Sequence, residues 1–240
     1  MNEHSHLGRL FGLGIGPGDP DLITLKALRL LQAAPVLAYP APETGESLAR
    51  TIVAPHLSGH QTEIPIRMPM VVSRFPAQEV YDWAAEALGE HLQAGRDVAV
   101  LCEGDPFFYG SFMYLFGRMA ENFAVEVVPG VSSLTACAAT LGAPLAARND
   151  VLTVLPAPLS EEILRARLTA SEAVAIIKVG RHFEKVRRVL GELDLIDQAR
   201  YVERATMENQ KIMPLADVAT AEVPYFSMIL VHRRGEAWTS

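Results

Sequence analysis

Residues 10–21 read LFGLGIGPGDPD: an apolar run, a turn bearing Gly12, Gly14, Gly16 and Gly18, then Asp19 and Pro20, a pair suited to cap a helix and open its first turn. A strand, a glycine turn and a helix N-terminus in that order aim backbone N–H groups at whatever docks over the strand end. That suits a carboxylate, a phosphate or a sulfonium-bearing ligand. Two further turns share the design. Glu103-Gly104-Asp105-Pro106-Phe107-Phe108-Tyr109-Gly110 follows an apolar run at 98–102; Gly104 lets a ligand approach the backbone, and Asp105 is held extended ahead of Pro106. Pro129-Gly130-Val131-Ser132-Ser133 ends another apolar run and opens a helix, with Ser132 or Ser133 as its N-cap. Any α/β protein carries one such turn. Three of them, each at a strand end, read as a ligand platform.

Two nucleotide signatures are missing. The dinucleotide fingerprint requires a third glycine where this chain has Pro17, Asp19 or Asp21, according to register. The phosphate-loop ending is absent, and Lys26 lies inside the helix that follows. His56 and His60 are four apart, but Pro55 and Gly59 interrupt a helix there and no third ligand is near, so no protein-bound metal is expected. Cys102 and Cys137 sit in apolar stretches and read as free, buried thiols of a reducing compartment.

Positioning these turns requires strands and helices in alternation. Strand-length apolar runs fall at 10–15, 36–39, 62–66, 98–102, 125–128, 151–155, 174–179, 199–202 and 226–231, with helical segments between them at 22–31, 108–121 and 183–193. This is an α/β pattern, and its nearly continuous apolar strands imply sheets covered on both faces. One sheet of so many strands would be unusually wide. Two α/β domains are expected, 1–123 with the glycine and GDP loops and 124–240 as a second domain. The first carries 8 basic and 14 acidic side chains and the second 13 and 14, which makes the second the better side for anionic groups. Overall, 21 Lys plus Arg against 28 Asp plus Glu leave a net charge of −7, which argues against wrapping nucleic acid. Residues 127–147 are uncharged and long enough to cross a bilayer, but Pro129, Gly130, Ser132, Ser133, Thr135, Gly142 and Pro144 break the run, so no membrane span is expected. The start, MNEHSHLGR, lacks the pattern of a secretory leader, and the expected location is cytoplasmic.

GIGPGDP, EGDPFFYG and PGVSSLTACAA, in this order and spacing, resemble the tetrapyrrole methylase family, whose members methylate ring intermediates of cobalamin and sirohaem synthesis with S-adenosylmethionine. The resemblance spans nearly the whole chain. GSFMYLF, LGAPLAARNDVLTVLPA, IKVGRHFEKVRRVL, YVERATMENQKIMPL and PYFSMILV look most like the members that act at carbon 20 of precorrin-2, metal-free or cobalt-loaded. It implies two α/β domains with the active site in the cleft between them, and a homodimer. It also implies donor contacts at Pro17, Gly104, Asp105, Pro106, Tyr109, Ser132, Ser133, Lys178, Val179, Ala205 and Thr206. Methylation elsewhere on the ring is the neighbouring alternative; a dinucleotide-binding module and a non-enzymatic tetrapyrrole carrier are the alternatives from other classes.

Methyl transfer from a sulfonium asks chiefly for alignment in a dry site, followed by removal of one proton. Asp105, Tyr109 and Asp19 are the candidate catalytic groups by location. The acetate and propionate groups of a tetrapyrrole call for local cations, with Arg148, Lys178 and Arg181 as first choices and Arg9, Arg67 and Arg74 next. The aromatic cluster Phe107, Phe108, Tyr109, Phe112, Tyr114 and Phe116 fits helix packing, with one or two rings left for a ligand.

Overall fold

The computed structural model describes residues 7–68, 75–219 and 223–233; Arg74 lies outside them. The chain forms two compact units that divide between Ser132 and Ser133.

The first unit is one parallel sheet of β1 (Leu10–Gly14), β2 (Val36–Pro42), β3 (Thr62–Met68), β4 (Val98–Cys102) and β5 (Val125–Val128), in the order β3-β2-β4-β1-β5. Its helices are α1 (Leu25–Ala33), α2 (Leu48–Val53), α3 (Phe75–Gln93) and α4 (Phe112–Met119). β1 and β4 are buried at every position because each face of the sheet is covered. Successive side chains of a strand point to opposite faces. Phe11, Leu13 and Leu101 therefore join Ala27, Leu31 and Ile52 of α1 and α2 on one side. Leu10, Val98 and Val100 join Leu88, Phe112 and Leu115 of α3 and α4 on the other. The connections leaving the neighbouring strands β1 and β4 thus depart to opposite faces. In an open α/β sheet, that divergence opens a crevice beyond the carboxyl ends of the two strands.

Two expectations for the glycine segment need correction. Gly12 and Gly14 belong to β1 rather than to the turn, and a Cβ on Gly12 would sit 2.3 Å from the Phe112 ring, so the strand lacks a side chain there to admit that ring. Asp19 does accept the Asp21 N–H at 2.9 Å and Pro20 does open a turn, but it is a single 3-10 turn, Pro20–Leu22. Ile23 returns to extended backbone, and α1 starts only after Thr24, whose hydroxyl caps Ala27 at 3.2 Å.

The second unit holds α5 (Ser133–Leu141), β6 (Leu152–Pro156), α6 (Glu161–Ala170), β7 (Ala173–Ile177), α7 (Phe183–Glu192), β8 (Ala199–Glu203), β9 (Lys211–Pro214) and β10 (Ser227–His232). The sheet order is β6-β7-β10-β8-β9, parallel at β6/β7 and antiparallel elsewhere. The helix α7 turns Phe183, Val186, Val189 and Leu190 onto this sheet, while Arg188 pairs with Glu161 of α6 on the outer side. The unit boundary falls nine residues later than expected from the sequence. The reason is β5, which pairs in parallel with β1 and so completes the first sheet. Among the described residues, no helix is long and apolar enough to cross a membrane.

Candidate functional site

In the first unit the three turns singled out in the sequence converge. Gly104 donates its N–H to the Gly16 carbonyl at 2.8 Å and its own carbonyl takes the Gly16 N–H at 3.4 Å, an isolated antiparallel bridge just beyond the parallel strands. A Cβ added to Gly130 would lie 2.1 Å from the Gly104 carbonyl oxygen and 2.7 Å from Gly14 Cα. The chains after β1, β4 and β5 therefore meet backbone to backbone, which only glycine permits at this distance. Asp105 locks the junction. Its Oδ1 accepts the N–H groups of Phe107 and Phe108 at 2.9 and 3.0 Å, and its Oδ2 accepts that of Gly130 at 3.1 Å. Pro17 and Pro106 are buried beside this junction.

Tyr109 sits at φ 56 and 44% exposure, its ring edge-on to Phe108 at 5.2 Å. A left-handed aromatic residue is uncommon and costs on the order of 1–3 kcal/mol, a strain that recurs where a side chain must be presented to a ligand. Of the aromatic cluster, Phe112 belongs to the core, while Phe107 and Tyr109 reach the surface.

Burial sets the electrostatics. It raises the Glu103 carboxyl above its ordinary range, opposed by the N–H groups of Glu103 itself and of Ala49. This acid opens the GDP turn, where the sequence gave it no separate role; the available signal was an acidic residue directly after the apolar run VAVLC. Burial also pushes the Cys102 thiol up to about 11 and the Cys137 thiol up to about 12, so both are free, buried and poor nucleophiles. His56 approaches the Pro20 carbonyl and His60 the Ser58 hydroxyl, two separate contacts.

In the second unit β7 and β8 both run antiparallel to β10 between them, so their carboxyl ends share one edge of the sheet. At that edge β7 is followed by Lys178 at φ 58, by Val179 and by a 3-10 turn, Gly180–His182. Val179 is fully buried and offers a ligand only its backbone. Arg181 is exposed, and its Nε donates to His182 Nε2 at 3.4 Å; burial, then Lys185 and Arg181, lower the His182 pKa and keep the ring an acceptor. β8 ends at Glu203, and the chain continues through Arg204 at φ 49, buried Ala205 and Thr206 at φ 71. Glu203 also escaped the sequence reading, although it is 5% exposed.

Arg148 stands apart. Its turn precedes β6, where Asp150 Oδ2 accepts the Ala147 N–H at 2.9 Å and faces His232 Nε2 at 3.1 Å. His232 ends β10, so Arg148 lies at the opposite edge of the sheet from Lys178 and Arg181. Ser133 is the first residue of α5 and directly follows Ser132. Arg9 pairs with Glu126, and Arg67 donates to the carbonyls of Pro42 and Glu43.

Residues 9–219 match the model of the Tetrapyrrole (Corrin/Porphyrin) Methylases. The chain is 44% identical over 233 residues to a Precorrin-2 C(20)-methyltransferase of Sinorhizobium sp, covering 94% of this chain and 95% of that one. It is 31% identical to the Cobalt-precorrin-2 C(20)-methyltransferase of Salmonella typhimurium, covering 95% of this chain and 98% of that one. Its fold is similar, with a TM-score of 0.68 and 24% identity over 94% of this chain and 92% of the other, to Uroporphyrin-III C-methyl transferase from Thermus thermophilus, a structure complexed with S-adenyl homocysteine.

Proposed function

The chain belongs to the tetrapyrrole methylase family, and we propose that it is an S-adenosylmethionine-dependent C-methyltransferase acting at carbon 20 of precorrin-2 to give precorrin-3A in cobalamin biosynthesis. The observation that carries the reading is the 44% identity, across nearly the full length of both chains, to an enzyme named for that reaction.

The site supports it. S-adenosylmethionine supplies an electrophilic methyl group on a sulfonium, and the residues present suit such a donor. The glycine junction at Gly14, Gly16, Gly104 and Gly130 packs the loops after β1, β4 and β5 backbone to backbone and so fixes the mouth of the β1/β4 crevice, the place where ligands of open α/β sheets bind. Pro17, Gly104, Pro106, Tyr109 and Ser132 would hold it there; Ser133, Lys178, Val179, Ala205 and Thr206 carry the same assignment in the second unit. Asp105, with three backbone N–H groups on its carboxylate, serves as the clamp that orients this junction rather than as the proton acceptor. Alignment of this kind supplies much of the acceleration when no covalent enzyme intermediate is needed. Lys178 and Arg181 share a sheet edge and are the carboxylate-binding cations; Arg148, at the other edge, is not. The reading takes the enzyme as cytoplasmic, supported by two free buried cysteines, and as a homodimer on the family resemblance.

The 31% identity to the Salmonella enzyme favours a second reading, the cobalt-loaded substrate. Incubation with methyl-labelled S-adenosylmethionine and either metal-free or cobalt-loaded precorrin-2, read by mass and carbon NMR, separates the two. Label at carbon 20 of the metal-free ring is the expected result. Label at another carbon, or none on either ring, overturns the assignment.

A further inference from the structure

The last residue of β8, Glu203, is a carboxylate buried among groups that use both of its oxygens. Oε2 accepts the hydroxyl of fully buried Tyr201 at 2.7 Å. Oε1 takes Arg204 Nη1 at 2.9 Å and lies 3.3 Å from Lys211 Nζ, whose residue is the register partner of Glu203 on β9. Burial, then the Glu203 carboxylate, push the Tyr201 phenol upward, so it remains a donor. A buried charge is costly unless paired in this way, and a well-packed apolar residue would hold a strand end as well.

The backbone of the turn after Glu203 gives a reason for a charge at this strand end. Arg204 and Thr206 both adopt left-handed backbone, and Thr206 is β-branched, for which this conformation is a true outlier. The turn persists because its ends are fixed. Arg204 is held through its side chain by Glu203 and through its N–H by the Phe226 carbonyl at 2.8 Å. The Thr206 N–H is taken by Gln210 Oε1 at 2.7 Å. Ala205 is locked between these two anchors.

We propose that Glu203 is a positioning residue, whose carboxylate fixes Arg204 and thereby holds the strained Ala205–Thr206 turn in the shape that receives the methyl donor. The proposal rests on the assignment of Ala205 and Thr206 to the donor. The test is binding of S-adenosylhomocysteine to the full chain by calorimetry, together with the KM for each substrate. Glu203→Gln keeps the shape and removes the charge; donor affinity is expected to fall about tenfold with loss of preorganisation, and the KM for the tetrapyrrole to stay within about twofold. A general structural role would move both substrates together. A folded Glu203→Gln that binds S-adenosylhomocysteine as the parent does, or that loses both substrates equally, overturns the proposal. Should that variant fail to fold, Arg204→Gly replaces it, since glycine takes φ 49 without strain while the guanidinium anchor is lost. The same donor-specific loss is then expected, and unchanged affinity overturns the proposal. A parent protein that does not bind S-adenosylhomocysteine overturns the donor assignment and this proposal together, an outcome distinct from a variant that binds normally.

Discussion

Asp105 Oδ2 accepts the backbone N–H of Gly130 at 3.1 Å and so ties the loop after β4 to the loop after β5, 25 residues further along the chain. The same carboxylate closes its own turn through Phe107 and Phe108. Asp105→Asn leaves one acceptor oxygen where there were two, so an amide N–H must face a backbone N–H on one side. The expected loss is about 1–3 kcal/mol of stability, with weaker donor binding. Urea unfolding and S-adenosylhomocysteine calorimetry check it. A fall in kcat with stability and donor affinity intact would return Asp105 to the chemistry as a base.

Gly104 is buried and at φ 67, so a side chain there is not accommodated as it would be on an open loop. A non-glycine residue in this conformation costs about 1–2 kcal/mol. At Gly130 the obstruction is steric, because the added Cβ would lie 2.1 Å from the Gly104 carbonyl oxygen. Gly130→Ala is expected to lower stability by about 1–3 kcal/mol through forced backbone separation, and to weaken donor binding with it. Gly117→Ala in α4 is the counterpart: nothing lies within 4 Å of the added Cβ, and removing a helical glycine is expected to stabilise by about 0.5–1 kcal/mol. Thermal unfolding of the two variants beside the parent decides it; equal Tm changes would contradict the packing argument.

The three turns and the two α/β units were legible because each turn is coded locally, by an apolar run followed by Gly, Pro, Asp or Ser. The β5 assignment was not. Its four residues acquire their place from pairing with β1, more than a hundred residues earlier, and no local signal states that partner. β9 escaped for a similar reason: Lys211–Pro214 is short, carries a lysine and a proline, and becomes a strand only against β8. Arg148 looked equivalent to Lys178 and Arg181 in sequence, since all three adjoin strands. Only the direction of β6 and the contact of Asp150 with His232 place it at the far edge. Glu103 and Glu203 each close an apolar strand, and their burial emerges only when the loops fold over them.

Burial holds Cys102 at about 11 and Cys137 at about 12, against an ordinary thiol value of 9.0. Both thiols are raised in the folded state, so their contribution to stability is complete below pH 9.0 and is lost as pH climbs toward 11 and 12. The native protein at pH 8 is therefore expected to show no fast thiol reaction with a disulfide reagent, and two equivalents on unfolding. Stability measured by urea should decline from pH 9 upward, and less so in Cys102→Ser with Cys137→Ala. A fast-reacting thiol at pH 8 would contradict the burial that keeps them inert.

The cations of the second unit separate into two classes that the same assay can distinguish. Arg181 is exposed beside Lys178 at the edge where β7 and β8 end, and the neutral His182 ring steadies its Nε at 3.4 Å. An exposed guanidinium–carboxylate contact contributes up to about 1 kcal/mol, so Arg181→Ala is expected to raise the KM for the tetrapyrrole about fivefold with donor affinity unchanged. Raising the salt concentration should shrink that difference, because exposed pairs are screened. Arg148 holds φ 51 in the turn before β6, at the opposite edge. Arg148→Gly releases the left-handed strain and is expected to stabilise by about 1 kcal/mol while leaving the tetrapyrrole KM where it was. If Arg148→Gly instead raises that KM and Arg181→Ala does not, the substrate carboxylates meet the other edge of the sheet, and the assignment of Lys178 and Arg181 falls.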